Sequence, residues 1–266
     1  MGRISDVFAA REKAGRTALI TYFCAGDPSA DTTVAVAVAA AEAGADVLEL
    51  GMPFSDPTAD GPAIQRASER ALHAGMTLQK TLEVARRIRE KSAIPIVLFG
   101  YYNPILAYGE ERLVREAKAA GVDGMLVVDL PPEECEVLRG PLRAAGMDFV
   151  PLVAPTSVDA RVKLAASVAD AFIYYVSLTG VTGSAVADFE AAAKRAQAVH
   201  ASTGKPVAVG FGVSTAEDVK KLAPHAAGVI VGSALVRAVE NAADQAEAVK
   251  NVTLLVRSLA AATSRG

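Results

Sequence analysis

Glu49 stands out in the 266-residue chain because it interrupts an apolar run, Val47-Leu48-Glu49-Leu50. Such a run belongs in a buried strand, where an unpaired ionised carboxylate is costly. The group must therefore find donors or an arginine, or else hold its proton to higher pH. The first outcome makes Glu49 structural, and the second makes it a general acid/base tuned by burial. The loop from Gly51 to Pro62 adds Asp56 and Asp60 among three prolines. Asp60 is close enough in sequence to be folded back over Glu49. Asp-Pro and Asp-Gly pairs also favour plain turns, and spacing alone leaves both readings open.

A second kind of chemistry is written in glycines. Three segments, Ser177–Ser184, Val209–Ser214 and Val231–Leu235, each place glycine just after an apolar run. Glycine lets backbone N–H groups approach an anion, and the third segment opens onto a helix whose N-terminus favours negative charge. Three such segments in succession point to a phosphate cradle built without a basic residue, the first one being Arg237.

The elements that must carry these residues follow from a recurrence. Glu42–Asp46, Ala119–Asp123 and Ala144–Asp148 each put alanine and glycine before an acid and a short apolar run. Each reads as a helix ending at glycine and then a strand. Wholly apolar strands imply burial on both faces, as in a parallel sheet covered by helices. Eight strands are predicted: 18–24, 47–50, 94–99, 124–128, 149–153, 171–176, 206–209 and 228–231. Alanine-rich amphipathic helices, such as 31–43, 78–91, 110–120 and 188–202, lie between them. Asp31 and Asp188 serve as N-caps or first-turn acids. Eight βα units in about 250 residues match a (β/α)8 TIM barrel, with function at the C-terminal ends of the strands. A doubly wound sheet is the rival, but Ala25-Gly26-Asp27-Pro28 after the first strand carries no dinucleotide fingerprint. No linker divides the chain, so residues 1–266 are expected to form one α/β domain, with an extra N-terminal helix and short extra helices in the loops.

Composition excludes other classes. Net charge is −3, which gives no electrostatic footprint for nucleic acid. Hydrophobic residues make up 52% of the chain, which excludes disorder. The longest uncharged stretch, 92–109, is broken by Pro95 and Pro104 and does not read as a membrane span. Cys24 and Cys135 fit no zinc or redox spacing and read as reduced thiols of a cytoplasmic protein. His73, His200 and His225 are isolated, so no metal site is expected. The basic run Arg86–Lys91 reads as a solvated helix face, and Glu133, Glu134 and Glu136 as a helix first turn. Only 14 residues are aromatic, yet many, among them Tyr22, Phe54, Phe99, Tyr174 and Phe211, fall in or just beyond predicted strands.

Residues 49–62, ELGMPFSDPTADGP, closely resemble the signature of the tryptophan synthase alpha chain family. The resemblance extends over nearly the whole chain, through Ala25–Pro28, Tyr102-Asn103-Pro104, Val128–Pro131, Gly180–Gly183 and Gly210–Ser214. It implies retro-aldol cleavage of indole-3-glycerol phosphate to indole and glyceraldehyde 3-phosphate. Glu49 would be the general acid/base and Asp60 the acid that stabilises charge at the indole nitrogen. Tyr174 matches a family tyrosine beside the glutamate, and by residue type is equally a core aromatic. Gly183, Gly212, Gly232 and Ser233 align with phosphate-binding positions, and Tyr22, Leu126 and Phe211 with the indole pocket. The family docks on a beta chain carrying pyridoxal phosphate, in an alpha2-beta2 heterotetramer that passes indole between chains. Pro53, Phe54, Asp56 and Asn103 would lie on that interface, near Pro131-Pro132. No cofactor is expected in this chain. Two residues depart from familiar members: Tyr22 stands where some carry Phe, and Leu178 where some carry Arg. Weighed beside this reading are another phosphosugar barrel enzyme, such as an isomerase or indole-glycerol-phosphate synthase, and a scaffold that only activates its partner. The synthase would want a strand lysine, which the predicted strands lack. Intact Glu49 and Asp60 speak against the scaffold.

Overall fold

The three glycine junctions set the frame of the molecule. Gly44, Gly121 and Gly146 take φ of +113°, +83° and +67°, a region that L side chains rarely adopt, and each turns a finished helix toward the next strand. The computed structural model describes residues 2–176, 189–210 and 212–265. In chain order these form α1 (Arg3–Lys13), β1 (Ala18–Cys24), α2 (Ala30–Ala43), β2 (Val47–Gly51), α3 (Pro62–His73), α4 (Leu78–Arg89) and β3 (Ile96–Gly100). There follow α5 (Tyr102–Tyr108), α6 (Glu110–Ala119), β4 (Gly124–Val127), α7 (Glu136–Ala144), β5 (Asp148–Phe149), β6 (Leu152–Val153) and α8 (Asp159–Val168). The last third supplies β7 (Ile173–Val176), α9 (Phe189–Thr203), β8 (Val207–Gly210), α10 (Ala216–Leu222), β9 (Gly228–Val231), α11 (Ser233–Glu240) and α12 (Gln245–Ala261).

All the strands pair in parallel, in the order β5-β4-β3-β2-β1-β9-β8-β7-β6. Where the sequence predicts one fifth strand there are two short pieces, because Pro151 has no N–H to give to a ladder. This segment still closes the ring. Val150 donates to the Met125 carbonyl on one side at 2.9 Å, and Tyr174 donates to the Pro151 carbonyl on the other at 3.0 Å. The result is a (β/α)8 barrel. The extra helix α1 plugs its N-terminal end: Phe8 packs on Phe172 with ring centroids 5.0 Å apart. Strands β1 to β4 are buried throughout, as their mainly apolar sequences require, and Glu49 on β2 is carried inside with them. No helix among the described residues is long and apolar enough to cross a membrane.

Helix starts are mostly as read. Ser29 caps α2 by accepting the Thr32 N–H, with Asp31 in the first turn rather than at the cap. Asp188 lies outside the described residues. In the acidic run after Pro132 only Glu136 falls in a helical first turn, since α7 begins there. The basic run on α4 is less solvated than its sequence implies. Arg86 and Arg87 face outward, but Arg89 turns in and donates to the Gly121 carbonyl and the Asp123 carboxylate.

That last contact belongs to a repeated device at the N-terminal ends of the strands. Asp46 accepts the Leu19 N–H at 2.9 Å and Arg11 Nε at 2.7 Å. Asp123 accepts the Ile96 N–H at 2.9 Å and Arg89 Nη2 at 2.7 Å. Asp170 accepts the Phe149 N–H at 3.1 Å and Arg139 Nη2 at 3.2 Å. Each aspartate thus fastens the start of a neighbouring strand and is neutralised by an arginine from a covering helix.

Candidate active site

The catalytic candidates converge at the opposite end of the barrel. Parallel register sets Glu49 on β2 beside Tyr22 on β1 and Val97 on β3. Tyr22, Glu49, Phe99 and Tyr174 line one cavity of about 250 Å³. Phe99 holds both tyrosines, with ring centroids 5.4 Å from Tyr22 and 6.5 Å from Tyr174. Two strand-end glycines make room for these rings. A Cβ at Gly51 would stand 2.2 Å from the Tyr22 hydroxyl, and one at Gly210 would stand 2.3 Å from the Tyr174 hydroxyl.

Glu49 is 1% exposed, and its Oε1 has no hydrogen-bond partner among the described residues. The structural alternative, a Glu paired with an arginine, is therefore not what the barrel contains. Burial alone pushes its carboxyl up to about 8. At neutral pH the group carries a proton and can donate it.

The loop after β2 separates its two acids. Asp56 is exposed and accepts the Ser55 hydroxyl at 2.5 Å, a local turn contact. Asp60 is buried and lines the same cavity as Glu49. Burial pushes Asp60 up to about 6, while the Tyr101 hydroxyl beside it pulls the other way. Tyr101 also accepts the Ala59 N–H at 3.0 Å, so it fixes the loop next to the acid it faces. Sequence reasoning missed this role, although an aromatic directly after the last residue of a barrel strand is a usable signal. Burial raises the Tyr22 and Tyr174 hydroxyls as well, and the nearby carboxyls add to it, so both phenols stay neutral.

The cavity floor changes chemistry at β8 and β9. Gly212, Gly232 and Ser233 all line it, and Gly212 takes φ of +82°. Gly232 is the N-cap of α11 and offers no side-chain acceptor, which leaves the first N–H groups of that helix open toward an anion. The neighbouring α10 is different. Its Thr215 and Asp218 form a capping box, and Asp218 accepts the Ser214 and Thr215 N–H groups at 3.0 and 2.9 Å. The open donors are thus those of α11. Gly183 and Phe211 lie outside the described residues, as does Leu178.

The remaining expectations fall around this site. Leu126 is fully buried on β4 in register with Phe99 and lies outside the cavity wall. Phe54 and Asp56 line an open cleft of about 610 Å³ between the loop and α3, and Phe54 packs on Tyr101 at 5.3 Å. Pro53 precedes it half-buried, and Asn103 is exposed at the start of α5. Pro131 and Pro132 line a second cleft of about 520 Å³. Ile64 and Ile230, which the sequence did not single out, add apolar wall to the central cavity, and Arg237 stands at it too.

This geometry has known counterparts. A family model described as Tryptophan synthase alpha chain matches residues 8–264. A tryptophan synthase alpha chain from a Geobacter species is 53% identical over 239 residues, 89% of each chain. That of Citrifermentans bemidjiense is 52% identical over the same length, again 89% of each chain. Among solved structures, a tryptophan synthase alpha chain from Legionella pneumophila is similar at TM-score 0.89 and 34% identity, over 99% of this chain and 97% of that one. A chain from the aminoacrylate-bound tryptophan synthase of M. tuberculosis also reaches TM-score 0.89, at 33% identity over 99% of this chain and 100% of that one. With most of its length matched by that family model and by relatives above half identity, the chain belongs to the tryptophan synthase alpha chain family.

Proposed function

We propose that residues 1–266 form one domain that cleaves indole-3-glycerol phosphate to indole and glyceraldehyde 3-phosphate, with Glu49 and Asp60 as its reacting acids. What carries the assignment is a protonated carboxyl, one oxygen of which has no partner among the described residues, in the same cavity as a second buried acid and an uncapped helix N-terminus. Glu49 gives its proton to indole C3, and positive charge develops at the indole nitrogen. Asp60, as carboxylate, accepts the indole N–H and stabilises that charge. Glu49, now ionised, takes the proton of the side-chain hydroxyl on the adjoining carbon. The bond from that carbon to C3 breaks, its electron pair returns to the ring, and the hydroxyl carbon becomes the aldehyde. One carboxyl both gives and receives a proton, so it ends as it began. Its starting state must be the acid, which is the state burial enforces.

Tyr22, Phe99 and Tyr174 bound the indole, with Leu126 beside Phe99 on the next strand, and the family resemblance assigns Phe211 to the same pocket. Gly183, Gly212, Gly232 and Ser233 hold the phosphate through backbone donors. Indole then passes to a beta chain, to which pyridoxal phosphate belongs, in a cytoplasmic alpha2-beta2 heterotetramer. Pro53, Phe54, Asp56 and Asn103 contribute to the docking face, beside the cleft at Pro131-Pro132.

The test is indole release from indole-3-glycerol phosphate, with and without a beta chain. Glu49→Gln is expected to lower turnover by about 10³-fold and Asp60→Asn by about 10²-fold, the range for a lost acid or base. Undiminished turnover in Glu49→Gln overturns the mechanism. Turnover indifferent to the beta chain removes the partnership from it.

A further inference from the structure

The cavity contains two carboxyls and, among its described lining residues, a single basic side chain, Arg237. Arg237 lies one helical turn after Ser233, so both point to the same face of α11, the face that meets the cavity. It is exposed, and among the described residues it makes no ion pair or hydrogen bond. The obvious partner within the helix is Glu240, three positions on. That carboxylate is engaged by two other arginines. Arg66 donates to both of its oxygens at 2.8 Å, and Arg70 Nη1 donates to Oε1 at 2.6 Å. Its bonds with Arg66, joined by those with Arg70, hold Glu240 down to about 2, so it stays ionised and engaged. Arg70 is anchored in turn by Asp27, with bonds of 2.7 and 2.9 Å. This clamp ties α3 to α11 and leaves Arg237, among the described residues, without a counter-ion at the edge of the cavity.

A phosphate at the N-terminus of α11 meets backbone dipoles but no full opposite charge, while Glu49 and Asp60 occupy the same enclosure. We propose that Arg237 is a substrate-binding residue whose guanidinium closes on the substrate phosphate, and that the Glu240 clamp keeps it free to do so. This rests on the phosphate-cradle reading above. Arginine suits the task because its planar fork matches phosphate oxygens bidentately.

The experiment compares wild type, Arg237→Lys and Arg237→Gln in two measurements: cleavage of indole-3-glycerol phosphate, and titration of inorganic phosphate followed by phosphorus NMR. Arg237→Gln is expected to weaken phosphate binding and raise KM about ten-fold, with the larger part of the loss in KM rather than kcat. Arg237→Lys is expected to fall between wild type and Arg237→Gln, because the charge survives but the bidentate fork is lost. An arginine that merely complements the helix dipole would change melting temperature and leave the phosphate titration alone, and that result overturns the proposal. Should wild type bind phosphate without cleaving the substrate, the proposed activity falls, while the titration still decides the role of Arg237. Absence of phosphate binding by wild type overturns the cradle and Arg237 together.

Discussion

At the N-terminal ends of the strands, Asp46, Asp123 and Asp170 each receive a backbone N–H and an arginine. At the C-terminal ends, Glu49 keeps an oxygen with no partner among the described residues, and Asp60 lies beside the Tyr101 hydroxyl. The residue types are nearly the same, and Asp46 is buried like Glu49 and Asp60, while Asp123 and Asp170 are partly exposed. For Asp46, burial raises the carboxyl, and the Leu19 N–H and Arg11 pull it back. For Glu49 nothing pulls back, and the carboxyl sits near 8. The contrast shows how one barrel divides its labour. The aspartates supplied with a backbone N–H and an arginine fasten strands together, whereas burial without such donors leaves Glu49 holding its proton at neutral pH. Asp148 breaks the pattern on the N-terminal side. Its Oδ2 is buried with no hydrogen-bond partner among the described residues, and burial, with Asp170 and Asp123 nearby, pushes it up to about 6.

The comparison can be broken at either end. Asp123→Ala should cost about 2–4 kcal/mol in urea unfolding, since it strands Arg89 and the Ile96 N–H. Its folded fraction should retain kcat. A matching loss of kcat would show that the two ends are not separate. At the other end the expected effect on stability has the opposite sign. Glu49 binds more protons folded than unfolded between its ordinary 4.5 and about 8, so stability falls as pH rises through that window. Glu49→Gln removes the fall. The variant should melt several degrees above wild type at pH 8 and alongside it at pH 4, even as activity is lost. Equal melting temperatures at both pH values would mean that the carboxyl is not held protonated. Asp148 sharpens the contrast with the smallest effect. Its window runs only from 3.8 to about 6, and the site is partly open, so Asp148→Asn should gain slightly above pH 6 with activity untouched. A loss of stability there would reveal a partner for its carboxylate.

Much of this was legible because it depends on local pattern. The Gly-X-Asp junctions specified helix ends and strand starts, since only glycine takes the required φ cheaply. The fifth strand was legible as a strand but not as two pieces, although Pro151 is visible in the sequence. Whether a proline splits a ladder depends on which neighbour needs its N–H. Asp56 and Asp60 show the limit most clearly. Both precede turn-forming residues, and only the packing of Tyr101 against Ala59 and Asp60 decides which one is enclosed. Arg89 and Arg237 were misjudged or passed over for a related reason. A long cationic side chain declares its charge in the sequence but not its destination.

While it left Asp56 and Asp60 undecided, the sequence by itself determined the order of elements, the end of the barrel to search for a site, and the anomalous place of Glu49. Each follows from periodicity, backbone allowances and the cost of placing a carboxyl in an apolar run, all of which act over a few residues. Only the tertiary structure decided which acids are paired and which are left waiting. That depends on whether distant segments deliver an arginine or an N–H to within about 3 Å. Arg11 reaches Asp46 and Arg89 reaches Asp123, whereas no described donor reaches Oε1 of Glu49.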